Sequence, residues 1–228
     1  MAEPMKILAV SDRVMDQLYC SDVRSKYPDV DMIIGCGDLP FYYLDFLVSA
    51  MDVPLFYVRG NHDRGPQYTI TGKVLEQVPG GVDLHGSVIR HNGLLIAGLE
   101  GSMRYRPGAP FMYTEAEMRR EIARLIPRLL WNKQRHGRYL DLLITHSPPF
   151  GIHDRPDLPH TGFKVFLNVM KLFKPKVLLH GHIHIYRRTT QVTSVFEETT
   201  ILNVYPYRLV DLNALPEPPD TAVPPKTT

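Results

Sequence analysis

Residues 31–63 read DMIIGCGDLPFYYLDFLVSAMDVPLFYVRGNHD, and this stretch decides the fold class. Two short apolar runs, at residues 31–36 and 54–59, flank an amphipathic segment at residues 41–51. Apolar runs of this length are typical of strands that are covered on both faces, whereas the segment between them is long enough for a helix. The stretch therefore predicts a strand, a helix and a parallel strand, with polar residues directly after both strands.

The same alternation continues on both sides of this unit. Further apolar runs predict buried strands at residues 6–11, 94–99, 139–145 and 176–181. Two later segments are rich in Thr, Val and Ile and predict a β-ribbon, at residues 191–195 and 200–205. The pattern as a whole is that of an α/β protein.

Two further amphipathic helices are predicted, at residues 114–135 and 162–173. Thr114 and Glu117 form a capping-box pattern at the start of the first of them. Pro127 should kink or divide that helix, because proline cannot donate a backbone hydrogen bond.

The chain has 228 residues, of which 44% are hydrophobic and 22% charged, so it can bury one substantial core. We predict a single domain over residues 1–212. Residues 213–228 contain five prolines with little to bury and predict an extended or disordered tail. A net charge of only +2 argues against a broad basic surface for duplex nucleic acid.

The chain contains only Cys20 and Cys36, which excludes a disulfide-dense scaffold and an all-cysteine zinc cluster. A reducing cytoplasm is the simplest location for such a chain. The first residues lack the apolar core of a signal peptide, and no apolar run is long enough to span a membrane. We therefore expect a soluble, cytoplasmic protein that does not associate with membranes.

Five apolar runs end in side chains that can bind metal or transfer protons. One such residue alone would usually be a turn or helix-cap residue, but five at one sheet edge predict a ligand site, because strand ends converge there. The residues concerned are Asp12, Asp38, Asn61, His62, Asp63, His146, His182 and His184.

Asp, Asn and His without thiolate suit borderline divalent ions such as Mn²⁺, Fe²⁺, Zn²⁺, Ni²⁺ or Co²⁺ and favour an open hydrolytic site. We expect one or two ions per chain, with Mn²⁺ the preferred one. Asp38 follows Gly37 and is suited to bridge two ions about 3.5–4 Å apart. His182 and His184 are two positions apart, so both can face the same side.

The blocks Gly37-Asp38, Gly60-Asn61-His62-Asp63, Thr145-His146 and Gly181-His182-Ile183-His184 occur in this order. Together they resemble the signature of the calcineurin-like metallophosphoesterases over roughly residues 5–212. The resemblance implies a four-layer αββα sandwich of two mixed sheets with a dinuclear metal site. It also implies hydrolysis of a phosphoester by direct attack of metal-bound hydroxide.

The resemblance assigns a role to each matching residue. Asp38 would bridge the ions, while Asn61, His146 and His182 would complete one metal site. Asp12 and His184 would belong to the other metal site. His62 would donate a proton to the phosphate or the leaving oxygen, with Asp63 orienting its imidazole.

One block departs from the family pattern. The family begins with Asp-x-His, whereas this chain reads Asp12-Arg13-Val14, and valine cannot bind a metal. We therefore expect one firmly held and one labile ion. Asp16 or Tyr19 could replace the missing ligand, although both also fit as ordinary surface residues.

Several loop residues are candidates for contact with the substrate. Arg104 and Arg106 lie in the glycine-bounded segment GSMRYRPG, and Arg64 follows the GNHD block. His153 lies in the long proline-rich loop that follows His146. Each of these residues also fits as a solvated loop residue, whereas His180 is expected to be buried behind the site.

These patterns predict a phosphodiesterase that acts on a small or nucleotide-like substrate. The runner-up is a phosphomonoesterase of the same fold. A catalytically weak metal-binding interaction module is the rival from another class, favoured by Val14 and opposed by the presence of His62 and Asp63.

Overall fold

The computed structural model describes residues 5–63, 65–68, 72, 74–187 and 189–215. In chain order, the strands are β1 Lys6–Val10, β2 Met32–Cys36, β3 Leu55–Val58, β4 Gln67–Tyr68, β5 Val74–Leu75, β6 Gly81–Asp83, β7 Ser87–His91, β8 Leu94–Leu99, β9 Ser102–Met103, β10 Met112–Tyr113, β11 Leu142–Thr145, β12 Val177–His180, β13 Thr193–Phe196, β14 Thr199–Asn203 and β15 Tyr207–Asp211. The α-helices are α1 Val23–Lys26, α2 Phe41–Met51, α3 Glu115–His136 and α4 Lys164–Phe173, and a 3-10 turn lies at Leu158–His160.

Two mixed sheets form the centre of the molecule. The first has the order β15-β1-β2-β3-β6, in which only the edge strand β15 is antiparallel to its neighbour. The second has the order β13-β14-β12-β11-β8-β7, with antiparallel strands at both edges. The parallel strands of each sheet bring their carboxyl ends to one edge, where ligand sites form in folds of this kind.

Alternation along the strands separates three apolar layers. Ile7 in β1 and Leu142 in β11 belong to one buried cluster, which fills the space between the two sheets. Leu8 faces the opposite side and packs with residues of α2. Leu143 likewise belongs to the layer beneath α3 and α4. The molecule is therefore a four-layer αββα sandwich, which confirms the predicted fold class.

Most predicted elements are present, with small shifts at their ends. The capping box at Thr114 and Glu117 is formed as predicted. Of the two expected effects of Pro127, division of the helix is wrong, since α3 runs through it without interruption for 22 residues. Leu125 and Leu129 are buried on either side of the proline, and this packing outweighs the loss of one backbone hydrogen bond.

The edge strand β15 was not predicted. This strand pairs antiparallel with β1, and its Leu209 is 51% exposed. An edge strand with one solvated face carries few apolar residues, so its sequence lacks the continuous apolar run of the central strands. The β-ribbon of β13 and β14 was predicted and is present.

The chain still packs beyond the predicted domain boundary at residue 212. Leu215 contacts the apolar layer between the sheets, three residues later than expected. The remainder of the predicted tail, residues 216–228, lies outside the described residues, so its disorder stays a prediction. Within the described ranges, no helix combines the length and the apolar character needed to cross a membrane.

Candidate metal centre

Four of the predicted ligands form a compact cluster at the carboxyl edge of both sheets. Asp38 follows β2, Asn61 follows β3, His146 follows β11 and His182 follows β12. His146 Nε2 lies 3.0 Å from Asn61 Oδ1, 3.1 Å from His182 Nδ1 and 3.3 Å from Asp38 Oδ2. We call these four residues the buried cluster, because three of them are buried and Asp38 nearly so.

The hydrogen bonds around the buried cluster determine which atoms face its centre. His146 donates from Nδ1 to the carbonyl of Cys36 at 2.7 Å, and His182 donates from Nε2 to the carbonyl of Pro159 at 2.7 Å. Asn61 donates its amide hydrogen to the hydroxyl of Tyr105 at 3.2 Å. When His146 is neutral, each side chain turns an acceptor atom inward, and this arrangement suits a cation at the centre.

The pKa values of the buried cluster also favour a positive charge at its centre. Burial raises the pKa of Asp38, but the charge of His146 and the hydrogen bonds from His146 and the His62 amide together lower it to about 2. Burial lowers the pKa of His146, and the carboxylate of Asp38 reverses that effect and raises it to about 9. Burial and the charge of His146 lower the pKa of His182 to about 3. The cluster therefore keeps one positive charge at its centre, the place that a divalent ion would take.

The backbone at the site adopts conformations that side chains rarely tolerate. Asp12, Asp38 and His182 have φ values of 63°, 56° and 66°, in the left-handed region. Gly37 has a φ of 90°, and a Cβ there would lie 2.5 Å from His146 Nδ1. The glycine before Asp38 therefore lets the two sheets approach closely enough to share one site.

Asp12 and His184 form a second and more open part of the site, which we call the exposed pair. Asp12 Oδ1 lies 3.4 Å from His184 Nε2. That oxygen is buried, yet it accepts no hydrogen bond from any described residue. The other oxygen of Asp12 accepts from the Ser11 hydroxyl and from the backbone amide of His182.

Two tyrosines, Tyr205 and Tyr186, contact the imidazole of His184. It stacks on Tyr205 at 4.4 Å, and its Nδ1 lies 3.2 Å from the hydroxyl of Tyr186. The side chain is nevertheless 40% exposed. An orphaned carboxylate oxygen beside a fixed imidazole nitrogen fits a second cation, held by fewer and wetter ligands than the first.

Val14 contributes nothing to the exposed pair. It packs against the apolar cluster on the outer face of the first sheet, together with Met15. Of the two suggested replacements, Tyr19 packs its ring on Phe46 at 4.4 Å, and Asp16 is exposed. Neither side chain contacts Asp12 within the described part of the chain, so the structure supports no third side chain in the exposed pair.

The two expected catalytic residues, His62 and Asp63, differ in their exposure and in their contacts. His62 is exposed, and its backbone amide donates to Asp38 Oδ1 at 2.7 Å. Asp63 is buried and accepts from the amides of Asp38 and Gly60 at 3.0 and 2.7 Å. Asp63 therefore stabilises the two loops that carry Asp38 and Asn61. Among the described contacts it forms no bond with the imidazole of His62, in contrast to the expected orienting role.

A cavity of about 310 Å³ opens beside His62. Its lining combines the polar residues of the site with an apolar floor, and consists of Asp38, Leu39, Pro40, His62, Asp63 and Gln67. A group attached to a phosphate at the metal centre could be accommodated there.

The predicted substrate contacts are only partly assembled around the site. Arg106 is exposed and lies over the ring of Tyr105 at 5.5 Å, and the hydroxyl of Tyr105 contacts Asn61 of the buried cluster. Arg104 is engaged elsewhere, with the carbonyl of Met112 and with Glu117 at 2.9 Å. Arg64 lies outside the described residues.

His153 was expected to contact the substrate, but its ring nitrogens contact other residues. Its Nδ1 contacts His180 Nε2 at 2.9 Å, and its Nε2 contacts the hydroxyl of Ser194 at 2.9 Å. Both ring nitrogens are thus used at the end of β12, by His180 and by Ser194 of β13. Burial lowers the pKa of His153 to about 4, which is consistent with a neutral structural residue.

Three parts of the site were not predicted: the Ser11 bond to Asp12, the Pro159 carbonyl that orients His182, and the Tyr105 bond to Asn61. Each joins the site through a loop or a backbone atom. A residue type and its spacing carry no signal for such contacts, because they depend on where separate loops meet.

A separate buried acidic group lies next to the loop that carries Tyr105. Glu100 accepts a hydrogen bond of 2.5 Å from the hydroxyl of Tyr113, and its backbone amide donates to His85 Nδ1 at 3.2 Å. Burial raises the pKa of Glu100 to about 7, although the bond from Tyr113 opposes this shift. The protonation of this carboxyl therefore changes near neutral pH.

The comparisons with known proteins agree with this geometry. A sequence model of the family described as calcineurin-like phosphoesterase matches residues 7–186. No curated protein gives a significant match to the chain. Solved structures also share its fold, and two of them illustrate the similarity. One has a TM-score of 0.63 and 17% identity, and covers 92% of this chain and 96% of its own.

The second solved structure is TT1561 of Thermus thermophilus, with a TM-score of 0.60, 18% identity and the same coverage of 92% and 96%. At such identities the two structures support the fold alone. The family match spans most of the folded chain and includes every residue of the buried cluster and of the exposed pair. The chain belongs to the calcineurin-like phosphoesterase family.

Proposed function

We propose that this chain is a metal-dependent phosphodiesterase that hydrolyses a small or nucleotide-like phosphodiester. The observation that supports the proposal is the buried cluster, in which four acceptor atoms converge and three of the side chains lie within 4.8 Å of one another. Asp38, Asn61, His146 and His182 would hold one divalent ion. Asp12 and His184, with Asp38 shared, would hold a second.

A divalent ion at this position supplies Lewis-acid chemistry, since it lowers the pKa of water and neutralises charge on a phosphoryl group. The residues of the chain provide the rest. Asp63 keeps the loops of Asp38 and Asn61 in place through two backbone hydrogen bonds. His62 is exposed beside the cavity, where its imidazole would donate a proton to the leaving oxygen.

The charge of the site favours a diester over a monoester. A phosphodiester carries one negative charge, whereas a monoester carries close to two at neutral pH. The predicted second ion has few protein ligands, and Arg104 is already paired with Glu117. Arg106 is therefore the one predicted arginine within the described residues whose guanidinium is left for a phosphate. This modest positive charge suits the monoanion.

The proposal includes a small-molecule substrate, no binding of duplex nucleic acid or membranes, and a cytoplasmic location. Cys20 and Cys36 are both free thiols, which is compatible with a reducing compartment. The net charge of +2 offers little attraction for nucleic acid backbones.

The direct test is hydrolysis of an aryl phosphodiester and of the matching monoester by protein stripped with a chelator. Mn²⁺ is then titrated back, and the bound metal is counted in the same samples. We expect diester hydrolysis to return with metal and to exceed monoester hydrolysis. Preference for the monoester would replace the proposed substrate class. Tight metal binding without turnover of either ester would instead support the interaction module.

A further inference from the structure

Tyr105 lies outside the predicted ligand set, and its side chain contacts Asn61 of the buried cluster directly. Its hydroxyl oxygen accepts a hydrogen bond of 3.2 Å from Asn61 Nδ2. Asn61 is only 7% exposed, so its amide hydrogens have little access to water. A buried amide donor that loses its partner carries a free-energy cost, which makes this contact important for Asn61.

The contact also determines which end of the Asn61 amide faces the cluster. An asparagine binds metal only through Oδ1, and its NH₂ group would repel a cation. With Nδ2 directed at Tyr105, Oδ1 lies 3.0 Å from His146 Nε2, at the centre of the cluster. Without the phenol oxygen, rotation of the amide by a half turn would place Nδ2 instead of Oδ1 beside His146 Nε2 and remove the metal ligand.

The loop that carries Tyr105 is anchored close to this contact. The amide of Gly101 donates to the carbonyl of Arg59, two residues before Asn61, at 2.8 Å. Arg104, directly before Tyr105, bonds to Tyr113 through its backbone and to Glu117 through its side chain. A φ of 77° at Gly101, where a Cβ would lie 2.2 Å from the carbonyl of Phe111, allows the loop to cross at this point. These contacts fix the position of the loop that carries Tyr105.

We propose that Tyr105 is a positioning residue, which holds Asn61 with Oδ1 toward the buried cluster and thereby sets the affinity of that cluster for a divalent ion. The inference rests on the proposed function only in assuming that the cluster binds metal. It concerns binding in the absence of substrate, so it can be tested separately from hydrolysis.

The test is a Mn²⁺ titration by calorimetry of wild-type protein and of Tyr105→Phe, which removes only the hydroxyl. Loss of a partner that orients a metal ligand typically weakens binding about 10–100-fold, and we expect a loss in this range with unchanged stoichiometry. Tyr139→Phe is the matched control, because Tyr139 lies before the amino end of β11, away from the site. It should bind Mn²⁺ like the wild type.

A double-mutant cycle separates positioning from a general structural effect. In an Asn61→Ala background, Asp38, His146 and His182 remain as three ligands, which is enough for measurable binding. Tyr105→Phe should then cause no further loss of Mn²⁺ affinity, because its partner is gone. Thermal unfolding of the metal-free proteins shows whether each variant is folded.

Two results would overturn the proposal. One is wild-type Mn²⁺ affinity in Tyr105→Phe, and the other is an equal loss of affinity in the Asn61→Ala background. Neither result bears on whether the wild-type enzyme hydrolyses a phosphodiester. Conversely, an inactive wild-type protein with a normal cycle would leave the role of Tyr105 intact and refute the proposed activity.

Discussion

The two parts of the metal centre differ in how they are built. The buried cluster takes its side chains from strands of both sheets, and hydrogen bonds to Cys36, Pro159 and Tyr105 orient three of them. The exposed pair has two side chains of its own, one of them 40% exposed. A site with more ligands and less water holds an ion more firmly. The proposal of one firmly held and one exchangeable ion rests on this difference.

The largest expected effect comes from the residue at the centre of the buried cluster. His146→Ala removes the nitrogen that lies between the other three ligands. Mn²⁺ affinity and hydrolysis should both fall more than about 100-fold, since loss of a ligand exceeds the loss of its orienting partner. Metal counting after gel filtration measures this, with His136→Ala at the end of α3 as the control. Retention of a tightly bound ion would place the firm site elsewhere.

A pH titration of the protein would also record the titration of Glu100, which belongs to neither part of the metal centre. The folded-state pKa of Glu100 is raised to about 7, so its stabilising contribution is complete below the unfolded value near 4.5 and is lost as pH rises through 7. Glu100→Gln should therefore gain roughly 1–3 kcal/mol of unfolding free energy relative to wild type between pH 5 and 8. Urea unfolding at both pH values measures this, and parallel pH dependence of the two proteins would contradict it.

The exposed pair is tested by His184→Ala. This substitution removes an imidazole but leaves the buried cluster complete, so the weaker ion should be lost while the firm ion remains. Turnover should fall about tenfold, within the range for the loss of supporting metal interactions. Calorimetry distinguishes the two classes of ion. Simultaneous loss of both ions would show that the two parts bind as one unit.

Val14→His would sharpen the comparison by supplying the ligand that the family pattern contains. The imidazole must leave the apolar cluster against which Val14 packs. Where it reaches Asp12, the weaker ion should bind about tenfold more tightly. Val14→Ala is the control for lost packing. An unchanged second binding constant, with folding intact, would mean that the local backbone no longer directs position 14 to the metal.

The smallest expected effect concerns the loop whose Tyr105 contacts the buried cluster. Arg106→Ala removes an exposed charge near Tyr105, and the KM for a phosphodiester should rise about fivefold while metal affinity stays constant. Arg104→Ala provides the contrast, because Arg104 bonds to Met112 and Glu117. It should lower stability more than it raises KM. The reverse result would exchange the roles of the two arginines.

Much of this architecture follows from the sequence alone. The parallel sheets were predictable because strands buried on both faces need continuous apolar runs, as in residues 31–36 and 54–59. The residues of the buried cluster were all named from their positions after such strands. The long helix was predictable as well, because its capping box is local to Thr114 and Glu117.

Tertiary structure alone decided the rest. His153 and Arg104 have the chemistry of substrate ligands, yet other segments use their polar atoms. Asp63 was expected to orient His62, and its bonds to two backbone amides were not predicted. Tyr105 gained its role from a loop that meets Asn61 across 44 residues of sequence. Sequence determines which groups follow each strand because that information is local, whereas the partner of each polar atom depends on how distant loops pack, since every buried donor must find an acceptor.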